Sequence, residues 1–478
     1  MAEVKTALEQ VANVQPLHVQ PSIAVLPFSD MSPAKDNEYF SDGLAEEIIN
    51  ALTRISGLRV IARTSAFAFK GQSGDIRKIA DALSVTNILE GSVRKAGNRV
   101  RVTVQLIGAA DGSHLWSERY DRDMTDIFGI QDEISQAIVE ALKVKLGRHV
   151  QTDAAARQPD NPVAYRAFLE GRYYLYQATP AGMRRAQECF EHAIRVDPAY
   201  APAHAALAEQ IYWETIYLGA RPREVIPAAF AAIDRALHFD PVSGTALALR
   251  GAFRAFYEYN WKASGEDFAR AIEVDPRNLR AHALRAAWWL LPLRHSEEGL
   301  SEVKRALDLD PINIATNTLV VWCLYATGRE VEALASARRM MELFPGQWTC
   351  CNAAAQVFRS LGLLDEAAST LKRGLELNPG NDNMLLGSLA HVRGLQGESA
   401  QAEKIRAQLE HAAEQGYVPL YNRAQAYEGC GDYDRAYQLL DQALDEREPM
   451  ALLFLMARRA ELESDPRYHE LLRKMNLS

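Results

Sequence analysis

Few residues of this chain have the types and spacing that catalysis requires. Glu46 and Glu47 form the most obvious carboxylate pair, and two carboxylates can supply a general acid and a general base. They are adjacent on a predicted helix, so their side chains point in different directions. We therefore interpret them as part of a solvated helix face, where negative charge near the helix start is favourable.

Two other groups of polar residues could bind a ligand. Arg63-Thr64-Ser65 follows a predicted strand, at the kind of position where open sheets bind ligands, but a capping or turn role is favoured. Arg94, Lys95, Arg99 and Arg101 form the basic tip of a predicted hairpin. They could contact phosphates or an acidic partner, although charges at such a tip more often provide solubility and protect a sheet edge.

Cysteine and glycine spacing gives no further sign of a site. The five cysteines show no paired CxxC motif, and we interpret the adjacent Cys350 and Cys351 as small apolar helix residues. Gly91 and Gly97 do not form a phosphate-binding loop. The sequence therefore predicts no catalytic residue, no metal site and no cofactor.

Composition indicates a globular protein of more than one unit. The chain has 478 residues, 48% of them hydrophobic, and a net charge of -9. An acidic balance argues against direct binding to nucleic acid, which requires clustered Lys and Arg. The chain shows no secretory signal and no membrane span, so we expect a cytoplasmic protein. We expect residues 1–20 to be disordered or linker-like.

Residues 21–148 predict an α+β domain. Ser22 to Phe28 and Leu58 to Ala62 read as strands, and a helix from Gly43 to Ile55 lies between them, with Ser41 and Asp42 as N-caps. A helix capped by Asp75 and three antiparallel strands follow. Polar and apolar residues alternate from Arg99 to Leu106, which predicts a strand with one buried face and one face exposed to solvent. A last amphipathic helix is predicted over Ile127–Gly147. The order is βαβαβββα, a small mixed sheet with helices.

This domain resembles a known bacterial module. The strings IAVLPF, EYFSDGLAEEII, LRVIARTSAFAFKG and GSHLWSERYDRDMTDIFGIQDEI are similar to the TolB amino-terminal-domain-like module. That resemblance implies a position between an effector domain, often a class III adenylyl or guanylyl cyclase or a winged-helix DNA-binding domain, and tetratricopeptide repeats. The residues before Ser22 are too few to hold either effector, so we expect neither activity in this chain.

Proline turns recur at a constant interval in the second half of the chain. They fall at Pro198, Pro241, Pro276, Pro311, Pro345 and Pro379, most of them preceded by Asp. The intervals between them are 43, 35, 35, 34 and 34 residues, and a period of this length marks a stacked helical repeat. Small residues such as Ala186 and Ala367 recur before the prolines, Ala436 belongs to the last clear unit, and these small residues let paired helices approach closely.

These positions resemble the tetratricopeptide repeat. We expect a linker over 149–160, about eight repeat units forming an all-α superhelical solenoid over 161–450, and a C-terminal capping helix and tail over 451–478. The longer first interval predicts a longer loop between Tyr212 and Val225.

The resemblance also implies a concave groove lined by the first helix of each unit, which suits an extended peptide or a helix. Trp288, Trp289 and Trp322 are interpreted as helix packing rather than as binding hot spots. Carried over residue by residue, the partner-facing positions are Arg280, Ala283, Thr318, Trp322, Tyr325, Asn352, Gln356, Arg359, Asn383 and Arg393.

Three functions remain open. The first is a non-catalytic cytoplasmic scaffold or adaptor in bacterial signalling, which binds a protein or peptide partner in the groove. The second is a regulatory subunit that acts in trans on a separate cyclase or winged-helix regulator. The third, an unrecognised enzyme, has the least support because no nucleophile–base pair, metal cluster or phosphate loop is present.

Overall fold

The structure is a computed structural model of the whole chain. It describes residues 21–32, 38–53, 55, 57–71, 75–96, 99–123, 133–134, 136–138, 140–141, 161–176, 179–380, 383–456 and 465–477. The chain divides into two compact units, residues 1–158 and 159–478.

The first unit is built on one mixed sheet of six strands. The sheet has the order β3-β1-β4-β5-β6, and β2 pairs separately with β4. The pairs that involve β1, β2 and β3 are parallel, whereas β4, β5 and β6 form an antiparallel meander. The strands are β1 Ser22–Val25, β2 Ser29–Asp30, β3 Arg59–Val60, β4 Asn87–Ala96, β5 Arg99–Gly108 and β6 His114–Asp123.

Among the described residues, three helices precede β4: α1 Glu38–Thr53, α2 Arg63–Phe67 and α3 Ile76–Leu83. The predicted alternation of β5 is confirmed, because Val100, Val102 and Val104 are fully buried while Arg99 and Arg101 are exposed. Asp75 caps α3 as predicted, since its side chain accepts a hydrogen bond from the backbone amide of Arg77.

Two details of the first unit differ from the sequence prediction. Helix α1 begins at Glu38, so Ser41 and Asp42 are buried helix residues and not N-caps. The short elements β2 and α2 were not predicted.

The predicted final helix of this unit is described only in part. Its described residues within 133–141 are helical and bury Ile134 and Ile138, and the rest lies outside the described residues.

The second unit is entirely helical in its described residues, as predicted. Its helices pair into eight antiparallel hairpins, here called repeats 1 to 8, followed by a C-terminal pair. The first helices of the repeats are α4 Pro162–Leu175, α6 Ala201–Tyr217, α8 Gly244–Phe256, α10 Leu279–Arg285, α12 Ile314–Ala326, α14 Trp348–Ser360, α16 Asn383–Leu395 and α18 Leu420–Gly429. The second helices are α5 Pro180–Val196, α7 Pro222–Phe239, α9 Trp261–Val274, α11 Ser296–Leu309, α13 Glu330–Leu343, α15 Leu364–Leu377, α17 Ser399–Gln415 and α19 Tyr433–Asp445. The C-terminal pair is α20 Pro449–Met456 and α21 Pro466–Lys474.

The recurring prolines act as predicted. Each second helix from α5 to α15 ends two residues before a proline, as Val196 does before Pro198 and Val274 before Pro276. Proline cannot donate the backbone hydrogen bond that would continue the helix. Helix α10 continues into a π-helical turn, Ala286–Leu290, which carries Trp288 and Trp289.

The predicted long loop between Tyr212 and Val225 is wrong. The extra residues of repeat 2 lengthen its helices instead, so that α6 has 17 residues and α7 has 18. Only residues 218–221 connect them. Helix α6 is apolar or buried around most of its circumference, which is the pattern of a helix packed on several sides.

The repeat region curls back on itself. One continuous apolar core joins residues of repeats 2 to 4, such as Ile216, Phe256 and Trp288, with Tyr437 of repeat 8 and Met475 near the C-terminus. The C-terminal end of the unit therefore packs against its own earlier repeats.

Candidate partner-binding surface of the repeats

The inner surface of repeats 2 to 4 is closed by side chains that contact one another. Arg280 forms an ion pair with Glu209 of α6. The indole nitrogen of Trp288 donates to the Tyr212 hydroxyl at 2.8 Å, and the Trp289 indole donates to the Trp261 carbonyl at 2.8 Å. The packing role predicted for Trp288 and Trp289 is confirmed.

Two predicted groove residues of α14 join a polar cluster between inner helices. The Gln356 amide donates to the Ser388 hydroxyl at 2.9 Å, and that hydroxyl donates to the Asn352 side-chain oxygen at 3.1 Å. Gln425 of α18 lies 3.4 Å from the same hydroxyl. Asn352 is only 8% exposed, so these amides connect repeats 6, 7 and 8.

The predicted groove arginines also have partners within the chain. His391 lies between Arg359 and Glu428, with Arg359 Nη1 3.2 Å and Glu428 Oε2 3.1 Å from its Nδ1. Arg393 is buried and pairs with Glu398 at 2.8 Å, at the end of its own hairpin.

The remaining predicted groove residues are half-buried. Trp322 and Tyr325 of α12 pack at the edge of the apolar core of repeats 4 to 7, and Thr318 donates to the Met340 sulfur at 3.6 Å. Ala283 lies on α10 and Asn383 at the first position of α16.

Glycines bring α16 and α18 into backbone contact. A Cβ atom on Gly387 would lie 2.5 Å from the Asn422 carbonyl oxygen, and Cβ atoms on Gly394 or Gly429 would also overlap the facing backbone. Any larger residue at these positions would force the two inner helices apart. The surface over repeats 7 and 8 is therefore tightly closed.

A cavity of about 50 Å³ opens where α6 ends and where α14, α16, α18 and α20 begin. Its lining includes the rings of Tyr217, Trp348 and Tyr421 and the amides of Asn383 and Asn422. Asn422 is 2% exposed, and its side-chain oxygen has no hydrogen-bond partner among the described residues.

Glu448 forms the polar floor of this cavity. Its carboxylate accepts from the Tyr417 hydroxyl at 2.6 Å and from the amides of Leu420 and Tyr421 at 2.8 and 3.0 Å. It thus caps the N-terminus of α18. Burial raises the pKa of Glu448, although these three hydrogen bonds oppose the shift.

The first unit contains a buried charge network that the sequence interpretation missed. Arg63 lies 3.2 Å from Glu46 and 3.9 Å from Asp42, and Lys70 lies 2.7 Å from both Asp42 and Glu38. Asp42 and Glu46 are 3% and 5% exposed, so the solvated-face interpretation is wrong for Glu46. Burial raises the pKa of Asp42 although Lys70 and Arg63 oppose the shift. The network joins α1 to α2, and the spacing of Asp42 and Glu46 by one helical turn could have indicated it.

The other candidate residues of the sequence have structural roles. Cys350 and Cys351 are fully buried, as their interpretation as packing residues predicts, and burial raises the pKa of Cys350 to about 12. Arg94 and Arg99 are exposed at the hairpin, and Arg101 pairs with Asp121 at 2.6 Å. Within the described ranges, no three or more His, Cys, Asp and Glu side chains gather as a metal site would require. None of the helices described in the chain is long and apolar enough to cross a membrane.

Family models match segments in both parts of the chain. A model described as tetratricopeptide repeat matches residues 349–381 and 419–448. A model described as the second domain of HilA/YgeH-like transcriptional regulators matches residues 19–137. The chain thus carries tetratricopeptide repeats behind a HilA-like regulator domain. The more specific resemblance to a TolB-like module is not confirmed and stays a prediction.

A curated relative is similar over part of its length. "Putative adenylate cyclase 3" of Rhizobium meliloti (strain 1021) is 44% identical over 192 residues, which are 40% of this chain and 33% of the relative. The chain therefore matches about a third of the length of that relative.

Solved structures resemble the chain more distantly. A thermophilic tetratricopeptide-repeat protein of Thermus thermophilus is 20% identical, with 40% of this chain and 98% of that chain covered and a TM-score of 0.35. PilF of Pseudomonas aeruginosa is 18% identical, with 50% and 96% covered and a TM-score of 0.36. The human IFIT1 dimer with m7Gppp-AAAA is 14% identical, with 66% and 78% covered and a TM-score of 0.44.

Proposed function

We propose that this chain is a non-catalytic cytoplasmic adaptor in bacterial signalling, whose repeats bind a peptide or helix of a protein partner. Tetratricopeptide repeats support a role in protein–protein interaction. The observation that carries the proposal is the cavity at the start of α14, α16 and α18, where aromatic rings and amides meet.

The chemistry of this cavity favours a peptide. Tyr217, Trp348 and Tyr421 offer apolar ring surface at a small cost in side-chain entropy. The side-chain oxygen of Asn422 is a buried acceptor without a partner in the described structure, so a ligand N–H group would remove a desolvation cost. Asn383, a predicted groove residue, lies at the same cavity and can bond a peptide backbone.

Affinity capture with the purified full chain tests this proposal. Captured proteins would be compared between the wild type, a Trp348→Ala/Asn383→Ala variant and a Val331→Ser control. Val331 is 83% exposed on α13, outside the cavity lining. We expect at least one protein to be captured by the wild type and the control and lost from the cavity variant. Equal capture by all three chains would contradict a partner in this cavity.

A second candidate function is regulation in trans of a separate adenylyl or guanylyl cyclase or of a winged-helix regulator. The specific observations that favour it are the relative described as an adenylate cyclase and the match of residues 19–137 to a domain of transcriptional regulators. A TolB-like role of the first unit would fit the same arrangement.

The identity of the captured protein separates the two candidates. Specific recovery of a cyclase or a DNA-binding regulator, retained by the Val331→Ser control, would favour regulation in trans. Turnover of ATP or GTP by the purified chain alone would contradict both candidates and favour an enzyme.

A further inference from the structure

The hairpin loops of repeats 3 and 4 depart from the backbone pattern that repeats 5 to 8 share. In repeats 5 to 8 the loop turns through a glycine with positive φ, at Gly328, Gly362, Gly397 and Gly431. At the same loop position repeat 3 has Tyr259, with φ of 54°, and repeat 4 has Arg294, with φ of 60°. A side chain is unfavourable in this conformation because its Cβ crowds the backbone. A compensating contact is therefore expected at both positions.

Both side chains contact the C-terminal part of the chain. The Tyr259 hydroxyl donates to the Leu444 carbonyl at 3.4 Å, and its ring lies 4.4 Å from the Arg447 guanidinium carbon. Arg294 donates to the Tyr468 hydroxyl at 3.2 Å. Arg447, with φ of 61°, is another non-glycine residue in the left-handed region. The strained positions of the repeats thus meet at one junction.

The end of the chain completes this junction. The Trp261 indole donates a hydrogen bond to the Met475 carbonyl at 2.7 Å. The side-chain amide of Asn476 donates a hydrogen bond to the Tyr259 backbone carbonyl at 3.1 Å. Met475 is fully buried. Tyr433, which occupies in repeat 8 the position of Trp261 in repeat 3, is 49% exposed. The aromatic residue at this position is thus partly covered in repeat 3, where the C-terminus docks, and exposed in repeat 8.

Helix α21 is also attached to α19. Arg467 pairs with Asp434 and Lys474 with Asp441, both at 2.7 Å. Asp434 is 87% exposed, and exposed ion pairs of this kind contribute little. The buried apolar side chains of α21, Tyr468 and Leu471, belong to a core that contains residues of repeats 2 to 4 and of α19.

We propose that residues 465–477 are a latch that docks on repeats 3 and 4 and closes the repeat region, and that release of the latch opens the cavity to a partner. The cavity is walled by the end of α6 on one side and by Glu448 and the first residues of α20, Pro449 and Met450, on the other, so contacts that hold these two sides together set its width. The docking stands on its own contacts, whereas the control of access rests on the proposed function.

A labelled peptide of residues 465–477, added to the full-length chain, tests the docking. In the wild type the chain's own latch occupies the site, so the peptide should bind weakly. A release variant, Tyr468→Ala/Met475→Asp, undocks the latch and should bind the peptide at least tenfold more tightly. Adding Trp261→Ala to the release variant should abolish this gain, whereas adding Tyr433→Ala should preserve it.

Two outcomes would overturn the docking: peptide affinity unchanged in the release variant, or equal effects of Trp261→Ala and Tyr433→Ala. Hydrogen exchange of α12 to α16 would verify that the variants remain folded. As a second route, Tyr259→Gly/Arg294→Gly restores the glycines of the other repeats and removes the side-chain contacts of both positions. It should increase hydrogen exchange of α21 and the radius of gyration, and no change in either would also overturn the latch.

Capture of the partner tests the control of access separately. The release variant should retain more of the partner than the wild type does. Unchanged capture despite tighter peptide binding would refute this control. Failure of the wild type and the release variant alike to capture any partner at the cavity would count against the proposed function and not against the docking.

Discussion

The indole of Trp288 donates a hydrogen bond to the hydroxyl of Tyr212 across two repeats, from the π-helical turn of repeat 4 to α6 of repeat 2. Both residues are buried, and Phe256 packs against Trp288 with ring centroids 4.8 Å apart. Aromatic packing therefore replaces an open groove in this part of the superhelix. The partner surface that we propose lies instead at the cavity lined by Trp348 and Asn383.

Removing this hydrogen bond should destabilise the repeat region. Tyr212→Phe keeps the ring but leaves the buried indole N–H without its acceptor, at a cost of about 1–3 kcal/mol in the free energy of unfolding. Denaturant unfolding would measure the change. Tyr433→Phe is the matched control, because Tyr433 is half-exposed and its loss should change stability by less than about 0.5 kcal/mol. Equal effects of both variants would contradict the role of the bond.

Local patterns in the sequence predicted most of the fold. The alternation from Arg99 to Leu106 defined β5, and the recurring prolines defined the ends of the second helices. Such signals lie within one element, where the period of side chains and the missing proline N–H decide the structure.

Contacts between distant residues were not predictable in the same way. Arg63 and Glu46 are 17 positions apart, and Trp261 meets Met475 across 214 positions. Arg359, Asn352 and Arg393 were assigned to a groove from their helical positions, but their partners within the chain depend on how the repeats curl. Tyr259 and Arg294 were detectable in the sequence, because alignment of the hairpin loops places them where repeats 5 to 8 have glycine.

The charge network of the first unit should depend more on Arg63 than on Lys70. Arg63→Ala would leave Asp42 and Glu46 buried without their shared cation, and breaking a buried pair costs about 3–5 kcal/mol. The Lys70 side chain is 34% exposed and solvent screens its interactions, so Lys70→Ala should cost about 1 kcal/mol. Thermal or denaturant unfolding of the full chain, followed by hydrogen exchange in α1, would compare them. A larger effect of Lys70→Ala would contradict this assignment.

Glu448 should stabilise the start of α18 through hydrogen bonding more than through charge. Glu448→Ala removes the acceptor of three hydrogen bonds and should destabilise the region by about 1–3 kcal/mol. Glu448→Gln keeps an acceptor oxygen, and because burial raises the pKa of Glu448, loss of its charge should cost less than truncation. Hydrogen exchange of the Leu420 and Tyr421 amides reports the change directly. The neighbouring Glu446→Ala serves as the control, and an equal effect of Glu446→Ala would rule out a specific cap.

The ion pair of His282 and Glu302 should make repeat 4 sensitive to pH. Burial alone would lower the pKa of His282, but the hydrogen bond to Glu302 and the one to the Pro276 carbonyl outweigh it, and the pKa lies above its usual value of 6.5. Burial alone would raise the pKa of Glu302, but His282, Arg285 and Arg305 hold it below its usual 4.5.

The direction of each shift fixes the pH range in which the pair stabilises the fold. A raised histidine pKa contributes stability that is complete below about pH 6.5 and is lost as the pH rises through the folded value. A lowered carboxyl pKa contributes stability that is complete above about pH 4.5 and is lost as the pH falls through the folded value. The pair should therefore stabilise the folded state most between about pH 4.5 and 6.5.

Unfolding free energies of the wild type and of His282→Gln, measured from pH 4 to 9, test this prediction. The difference between them should be largest in that range and should shrink as the pH rises. Deprotonated His282 loses its charge and one of its two N–H donors, although the Glu302 carboxylate and the Pro276 carbonyl both accept. Glu302 retains Arg285 and Arg305 at high pH, at 3.1 Å each, so Glu302→Gln should remain destabilising where His282→Gln has lost most of its effect. A difference that is constant or that grows with pH would show that the charge of His282 does not stabilise the repeat.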